Sequence, residues 1–361
     1  MKDQFILYLL NKMTVSEKIG QMIMIDYRIP DVKTTEMTVD FEKVLEKYNP
    51  GGFILFRSNV SDFEGTKKLI TEIKNSNDIP VMISTDQEGG KVQRLNSTNV
   101  GFEDRPPMYE IGQTLDKELA FRIGKAMGEE LKSIGVDMDM APVLDIFSNP
   151  ENTVIAHRAF GSDAETVKKM SLSMADGLTD AGIIPVGKHF PGHGDTAQDS
   201  HIELPVIDKD LDELKAQELI PFIEAVKKKL PGLMIAHIAV PKITKEIVPA
   251  TLTGVMVNDL LRKDLGYEGL IIPDSLKMKA LTKYFTNEDI YLRCIGAGND
   301  MLLMPQDVGV AHETLLRAVE SGAIPMDRID TSVYRILSTK FDYGFFNKEY
   351  SEYVNSHNKV R

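Results

Sequence analysis

At 361 residues, with 27% charged and 42% apolar side chains, the chain has the composition of a soluble globular protein and the length of either two domains or one large α/β barrel. A net charge of −12, with acids and bases interspersed, provides no basic face and argues against a nucleic-acid partner. A single cysteine, Cys294, excludes an internal disulfide framework.

In chain order, residues 5–10 (FILYLL) form a short apolar patch without the basic flank or small-residue cleavage site of a secretory signal. The lack of such a signal makes the cytoplasm the expected setting, and no apolar run is long enough to cross a membrane. Thr14 with Glu17 spells a capping box at a helix start, and the pattern recurs at Ser61 with Glu64 and Ser162 with Glu165. Short, nearly continuous apolar runs at 21–26, 52–56, 81–85, 137–142, 183–188, 233–237, 270–273 and 301–304 suit strands of a parallel sheet buried on both faces. Amphipathic stretches lie between them at 64–75, Lys117–Ile134, 164–181, 211–230 and 311–320, several closed by glycines such as Gly135, Gly182, Gly266 and Gly322. Cys294 falls in a helical pattern and reads as core packing. Residues 326–346 read as a last helix, and 347–361 as a polar, frayed tail.

Eight strands alternating with helices predict the α/β class: a single (β/α)8 TIM-type barrel with a C-terminal helix, occupying residues 1–346. A doubly wound sheet is the alternative, because local pattern cannot show closure. The barrel reading demands that active groups sit just past strand C-termini. Asp86 follows the third strand, Lys188 and His189 end the fifth, His237 ends the sixth and Asp274 ends the seventh.

The densest chemistry is the run KHFPGHGDTAQDSH, residues 188–201, which packs three His, two Asp and one Lys into a strand exit. Such groups are costly to bury and follow no core periodicity, so they point to a site. A metal centre matches no familiar zinc spacing here, and none is expected. The GxGxxA reading at 192–197 is followed by no apolar helix and is set aside as a dinucleotide fingerprint. Asp274 could instead cap the next helix, Arg158 could be a structural ion-pair partner, and Asp86 with Gln87 and Glu88 could be a solvated loop. His193 could simply shape its turn, and His237 reads either as a support behind the site or as pocket wall.

Taken together, these segments resemble glycoside hydrolase family 3, and within it the β-N-acetylglucosaminidase branch. The resemblance runs from MTVSEKIGQM through GGFILF, DQEGG, APVLDI, RAFG, KHFPGHG, DSH, MIAHI and PDSLKM to RILSTKFDYGFF, nearly the whole chain. It implies that Asp274, in the family's Asp-x-Leu-x-Met context with Leu276 and Met278, is a nucleophile. It likewise implies that His201, paired with Asp199, is the proton donor and base. Residues 199 and 201 share one side of an extended segment, so the carboxylate can fix the imidazole tautomer. Asp86, Arg94, Arg158, Lys188 and His189 are implied as sugar-binding residues. One departure is Pro273, where many members have Ser; the lost backbone donor is not expected to abolish activity.

The resemblance implies a retaining exo-β-N-acetylglucosaminidase needing no cofactor. Its substrate would be terminal N-acetylglucosamine on a small saccharide or peptidoglycan-derived muropeptide, handled by a monomer. Many relatives carry a second domain that supplies an acid/base carboxylate; this chain is expected to hold its whole site on the barrel. A phosphorylase remains open, since a His donor leaves no second carboxylate to repel phosphate. A β-glucosidase and a sugar-binding or transglycosylating barrel remain open as well.

Overall fold

Each predicted apolar run contributes a strand in the computed structural model, which describes residues 1–196 and 203–358. The strands are β1 (Ile23–Ile25), β2 (Gly52–Leu55), β3 (Met82–Thr85), β4 (Met138–Asp139), β5 (Ile184–Phe190), β6 (Gly232–Ile235), β7 (Leu270–Pro273) and β8 (Leu302–Leu303). They pair in parallel in the order β8-β1-β2-β3-β4-β5-β6-β7. At the remaining seam, Asp300 N–H donates to Ile271 O at 2.8 Å and Leu276 N–H to Leu303 O at 3.0 Å, joining β7 to β8. The result is the (β/α)8 barrel, not the doubly wound sheet. All eight strands are buried along their length, as a sheet covered by helices requires.

Local chemistry explains where the helices start and stop. The Thr14–Glu17 capping box forms with both of its bonds. The other two predicted boxes are displaced by one residue. Asp62 caps helix Phe63–Lys74 by accepting from Gly65 N–H at 2.8 Å, and Asp163 caps helix Ala164–Asp180 by accepting from Thr166 N–H at 2.9 Å. A carboxylate next to the serine is the stronger partner for the helix dipole. Helix Lys117–Ile134 ends at Gly135, whose φ of 98° needs glycine. The stretch expected as one helix at 211–230 is two, Leu211–Ala216 and Ile220–Lys227, with Pro221 in the first turn of the second. Cys294 is fully buried, as its pattern implied.

The tail corrects the sequence reading. Residues Asn347–Asn358 are helical, not frayed, because Phe5 gathers Phe346, Tyr350 and Tyr353 at ring-centroid distances of 5.9, 5.3 and 5.3 Å. Each aromatic pair of this kind contributes about 0.5–1.5 kcal/mol beyond area burial. Helix Lys2–Lys12 packs beneath through Phe5, Ile6 and Leu10. No helix among the described residues is long and apolar enough to cross a membrane.

At the foot of the barrel, Lys340 is fully buried and donates to Gln21 Oε1 and Pro80 O, each at 2.8 Å. Burial pulls its ammonium down to about 7, against the opposing charge of Asp137. An unfolded lysine titrates near about 10.4, so between these values the unfolded chain binds more protons and stability rises with pH. Urea midpoints measured from pH 7 to 10 should therefore climb more in the wild type than in Lys340→Met. Parallel curves would contradict this assignment.

Candidate active site

Among the described residues, Asp86, Lys188, His189 and Asp274 are carried by strand ends on one face of the barrel, and Arg158 by the short turn Ala156–Arg158. Asp86 directly follows β3, and a short hairpin (Gln87–Gly89 with Val92–Gln93) brings Arg94 back beside it. Residues 86 and 88 share a face by strand alternation, and both reach one cation. Lys188 Nζ lies 3.0 Å from Asp86 Oδ1 and 2.6 Å from Glu88 Oε1. Arg94 Nη2 donates to Asp86 Oδ2 at 2.9 Å. Arg158 forks onto Glu88, with Nε to Oε2 and Nη2 to Oε1 both at 2.8 Å.

The ionisation states follow from this geometry. Burial would push the Asp86 carboxyl up, but Lys188 and Arg94 outweigh it and hold the group well below the usual carboxylate range. Burial likewise opposes Glu88, which Arg158 and Lys188 bring down to about 2. Lys188 is pulled down by burial but raised overall by Glu88 and Asp86, so it stays a cation. Beneath them Asp139, at the end of β4, accepts from Gln87 N–H at 2.9 Å and so pins the start of the hairpin. It is fully buried, and burial pushes its carboxyl well above the ordinary range.

Consecutive residues of a regular strand point to opposite faces, yet Lys188 and His189 both line the cavity. The register between β5 and β6 shifts between Gly187 and Phe190, and that irregularity breaks the alternation. His189 Nδ1 lies 2.6 Å from Asp145 Oδ2, and Asp145 Oδ1 accepts from His193 N–H at 2.6 Å. His193 Nδ1 is 2.8 Å from Thr196 Oγ1, and Asn152 Nδ2 donates to His193 O at 2.7 Å. Burial and the neighbouring His189 push the His193 imidazole down to about 4, leaving it neutral at physiological pH. It shapes this turn and also borders the cavity. Gly194 allows the turn to close, since a Cβ there would sit 1.7 Å from Ile146 O.

Asp274 stands one residue beyond β7, half-buried, with its backbone N–H donating to Ile235 O at 2.8 Å. Pro273, the departure noted in the sequence, pairs with Ile235 in the β6–β7 ladder, and the strand end is held by Asp274 N–H instead. Asp274 Oδ1 accepts from Ser275 N–H at 2.6 Å. Burial acts to raise its carboxyl, but His237, His189, the Ser275 N–H and Lys188 together hold it below its ordinary value, hence ionised at neutral pH. Asp86, Arg94, Arg158, Lys188, His189 and Asp274 line a single cavity of about 420 Å³. Asp199 and His201 lie outside the described residues. His237 is fully buried behind Asp274, so of its two expected places it takes the one behind the site and not the cavity wall.

Two members of this constellation escaped the sequence reading. Glu88, taken as a loop residue, is 1% exposed, and its position two residues after Asp86 was the available signal. Asp145 is fully buried at the end of APVLDI, an acid closing an apolar run like Asp274. A cavity bounded by fixed donors, by the ion-paired Asp86 and Glu88 carboxylates and by the ionised Asp274 can hold a polyhydroxylated ligand and present a nucleophile to it.

Comparison with known proteins bears on this arrangement. The model of the glycosyl hydrolase family 3 N-terminal domain matches residues 14–339. A β-hexosaminidase of Nitrosospira multiformis is 35% identical over 76% of this chain and 79% of its own length. β-Hexosaminidase A of Pseudoalteromonas piscicida is 31% identical over 91% of this chain, which spans 61% of that relative. Among solved structures, a family 3 β-N-acetylglucosaminidase from Paenibacillus superposes with a TM-score of 0.88 at 36% identity, covering 92% of this chain and 63% of that one.

Proposed function

The chain belongs to glycosyl hydrolase family 3, and from that membership we propose that it is a retaining exo-β-N-acetylglucosaminidase. Its substrate is a terminal β-linked N-acetylglucosamine, such as that on peptidoglycan-derived muropeptides. The β-hexosaminidase and β-N-acetylglucosaminidase relatives support the acetamido-sugar assignment. The observation that carries the chemistry is the ionised, half-buried Asp274 facing a cavity whose other walls hold fixed hydroxyl-reading groups.

In this mechanism Asp86, Arg94, Arg158, Lys188 and His189 bind the sugar hydroxyls and fix its orientation. Asp274 attacks the anomeric carbon to form a glycosyl ester. The departing glycosidic oxygen takes a proton from His201, whose ring is oriented by Asp199. His201 then accepts a proton from water as that water attacks the anomeric carbon, releasing the sugar and restoring the Asp274 carboxylate. Residues 1–346 form the catalytic unit.

Assays of an aryl β-N-acetylglucosaminide and the matching aryl β-glucoside, in phosphate-free buffer, test this reading. The acetamido substrate should be favoured in kcat/KM by about 10²-fold or more, the discrimination that a pocket built for one extra group provides. Equal rates would point to a β-glucosidase. Release that depends on added phosphate would point to phosphorolysis.

A further inference from the structure

We infer that His237 is held as a buried imidazolium and acts as a positioning residue for the Asp274 carboxylate. This deepens the proposed mechanism and rests on it for the role of Asp274. The protonation state rests on geometry alone. His237 ends the segment after β6 and is fully enclosed. Its Nε2 lies 2.9 Å from the carbonyl oxygen of Ser275, which can only accept, so Nε2 carries a hydrogen. Its Nδ1 lies 2.8 Å from Thr251 Oγ1. That hydroxyl has one proton, and the Ala236 carbonyl oxygen sits 2.9 Å away to receive it. With the proton committed there, the hydroxyl accepts from Nδ1–H, and both ring nitrogens are donors. The neutral alternative turns the hydroxyl proton onto Nδ1 and withdraws it from a carbonyl in a fully buried position.

The contact on Ser275 explains what the ring does. Ser275 receives the His237 hydrogen bond on its carbonyl and, through its N–H, donates to Asp274 Oδ1 at 2.6 Å. His237 therefore fixes the residue that orients the carboxylate and places a positive charge behind it. The titratable groups facing Asp274 include His237 from the segment after β6, His189 and Lys188 from β5, and His193 from the turn after β5. Of these, His237 is the strongest influence holding the carboxyl ionised against the effect of burial.

Nitrogen-15 NMR of histidine-labelled enzyme tests the protonation state directly, with the His237 resonances identified by their loss in His237→Gln. Both ring nitrogens should show the protonated shift at neutral pH. A bare nitrogen at that pH would overturn the inference. The positioning role is read from the acid limb of the kcat/KM profile. In His237→Gln, and separately in the shape-preserving Thr251→Val, the limb should move up by about one pH unit as Asp274 loses a neighbouring cation. A limb unmoved in both variants would reduce His237 to packing. If Asp274→Asn stays fully active, the nucleophile assignment falls, whereas the NMR result for the wild type stands by itself.

Discussion

Asp274→Asn is expected to fold and to lose turnover by roughly 10⁴-fold or more. The substitution is nearly isosteric, and the amide oxygen can still accept the 2.6 Å bond from Ser275 N–H, so the strand end is not disturbed. What disappears, in the proposed mechanism, is the anion that attacks the anomeric carbon and leaves again as a carboxylate. Sugar binding should survive, because Asp86, Arg94, Arg158, Lys188 and His189 are unaltered around the cavity. Calorimetric titration with N-acetylglucosamine, run beside the rate assay, separates the two effects. A variant that loses binding and turnover in equal proportion would argue that Asp274 is a ligand contact and not the reacting group.

Lys188→Met should be the most destabilising single change at the site. The lysine lies within 3.0 Å of one carboxylate and 2.6 Å of another, and the side chains of Lys188 and Glu88 are 3% and 1% exposed. Removing the shared cation leaves Asp86 with Arg94 and Glu88 with Arg158, but strands excess negative charge in a dry setting. Breaking a buried ion pair from one side costs about 3–5 kcal/mol. The pH dependence has a definite sign. Both carboxyls are held below their unfolded values, so their stabilising contribution is present above the unfolded carboxylate range. It is lost as pH falls towards the folded value of about 2 for Glu88. Without Lys188 those folded values rise, and the acid-unfolding midpoint of the variant should move to higher pH. Urea denaturation at pH 7 and an acid titration followed by circular dichroism read both effects. Wild-type stability in the variant would show that the two arginines suffice.

The barrel was legible because its information is local. Buried parallel strands announce themselves as short apolar runs, and the eight predicted runs coincide with the eight observed strands. Helix starts were legible only to within a residue, since Ser61 and Asp62, like Ser162 and Asp163, compete for the same capping position. The terminal helix was not legible, because Asn347–Asn358 is polar in itself and is ordered by aromatic contacts with Phe5, more than three hundred residues away. The same limit applies to the site. Residues that stand at strand ends, Asp86, Lys188, His189 and Asp274, could be found from the pattern. Glu88 and Asp145 could not be weighed until Lys188, Arg158 and His189 were seen against them. His237 was noticed as a strand-end histidine, but its hydrogen bonds to Thr251 and Ser275 belong to tertiary structure.

The central claim, a covalent sugar ester on Asp274, is tested most directly by trapping it. The enzyme is incubated with a fluorinated, activated N-acetylglucosamine analogue whose glycosyl-enzyme hydrolyses slowly, then digested and mapped by mass spectrometry. The mechanism predicts a stoichiometric sugar adduct on the peptide containing Asp274, formed as activity is lost and absent in Asp274→Asn. An enzyme that turns over the unmodified substrate but accumulates no adduct, or carries it on another residue, would contradict it.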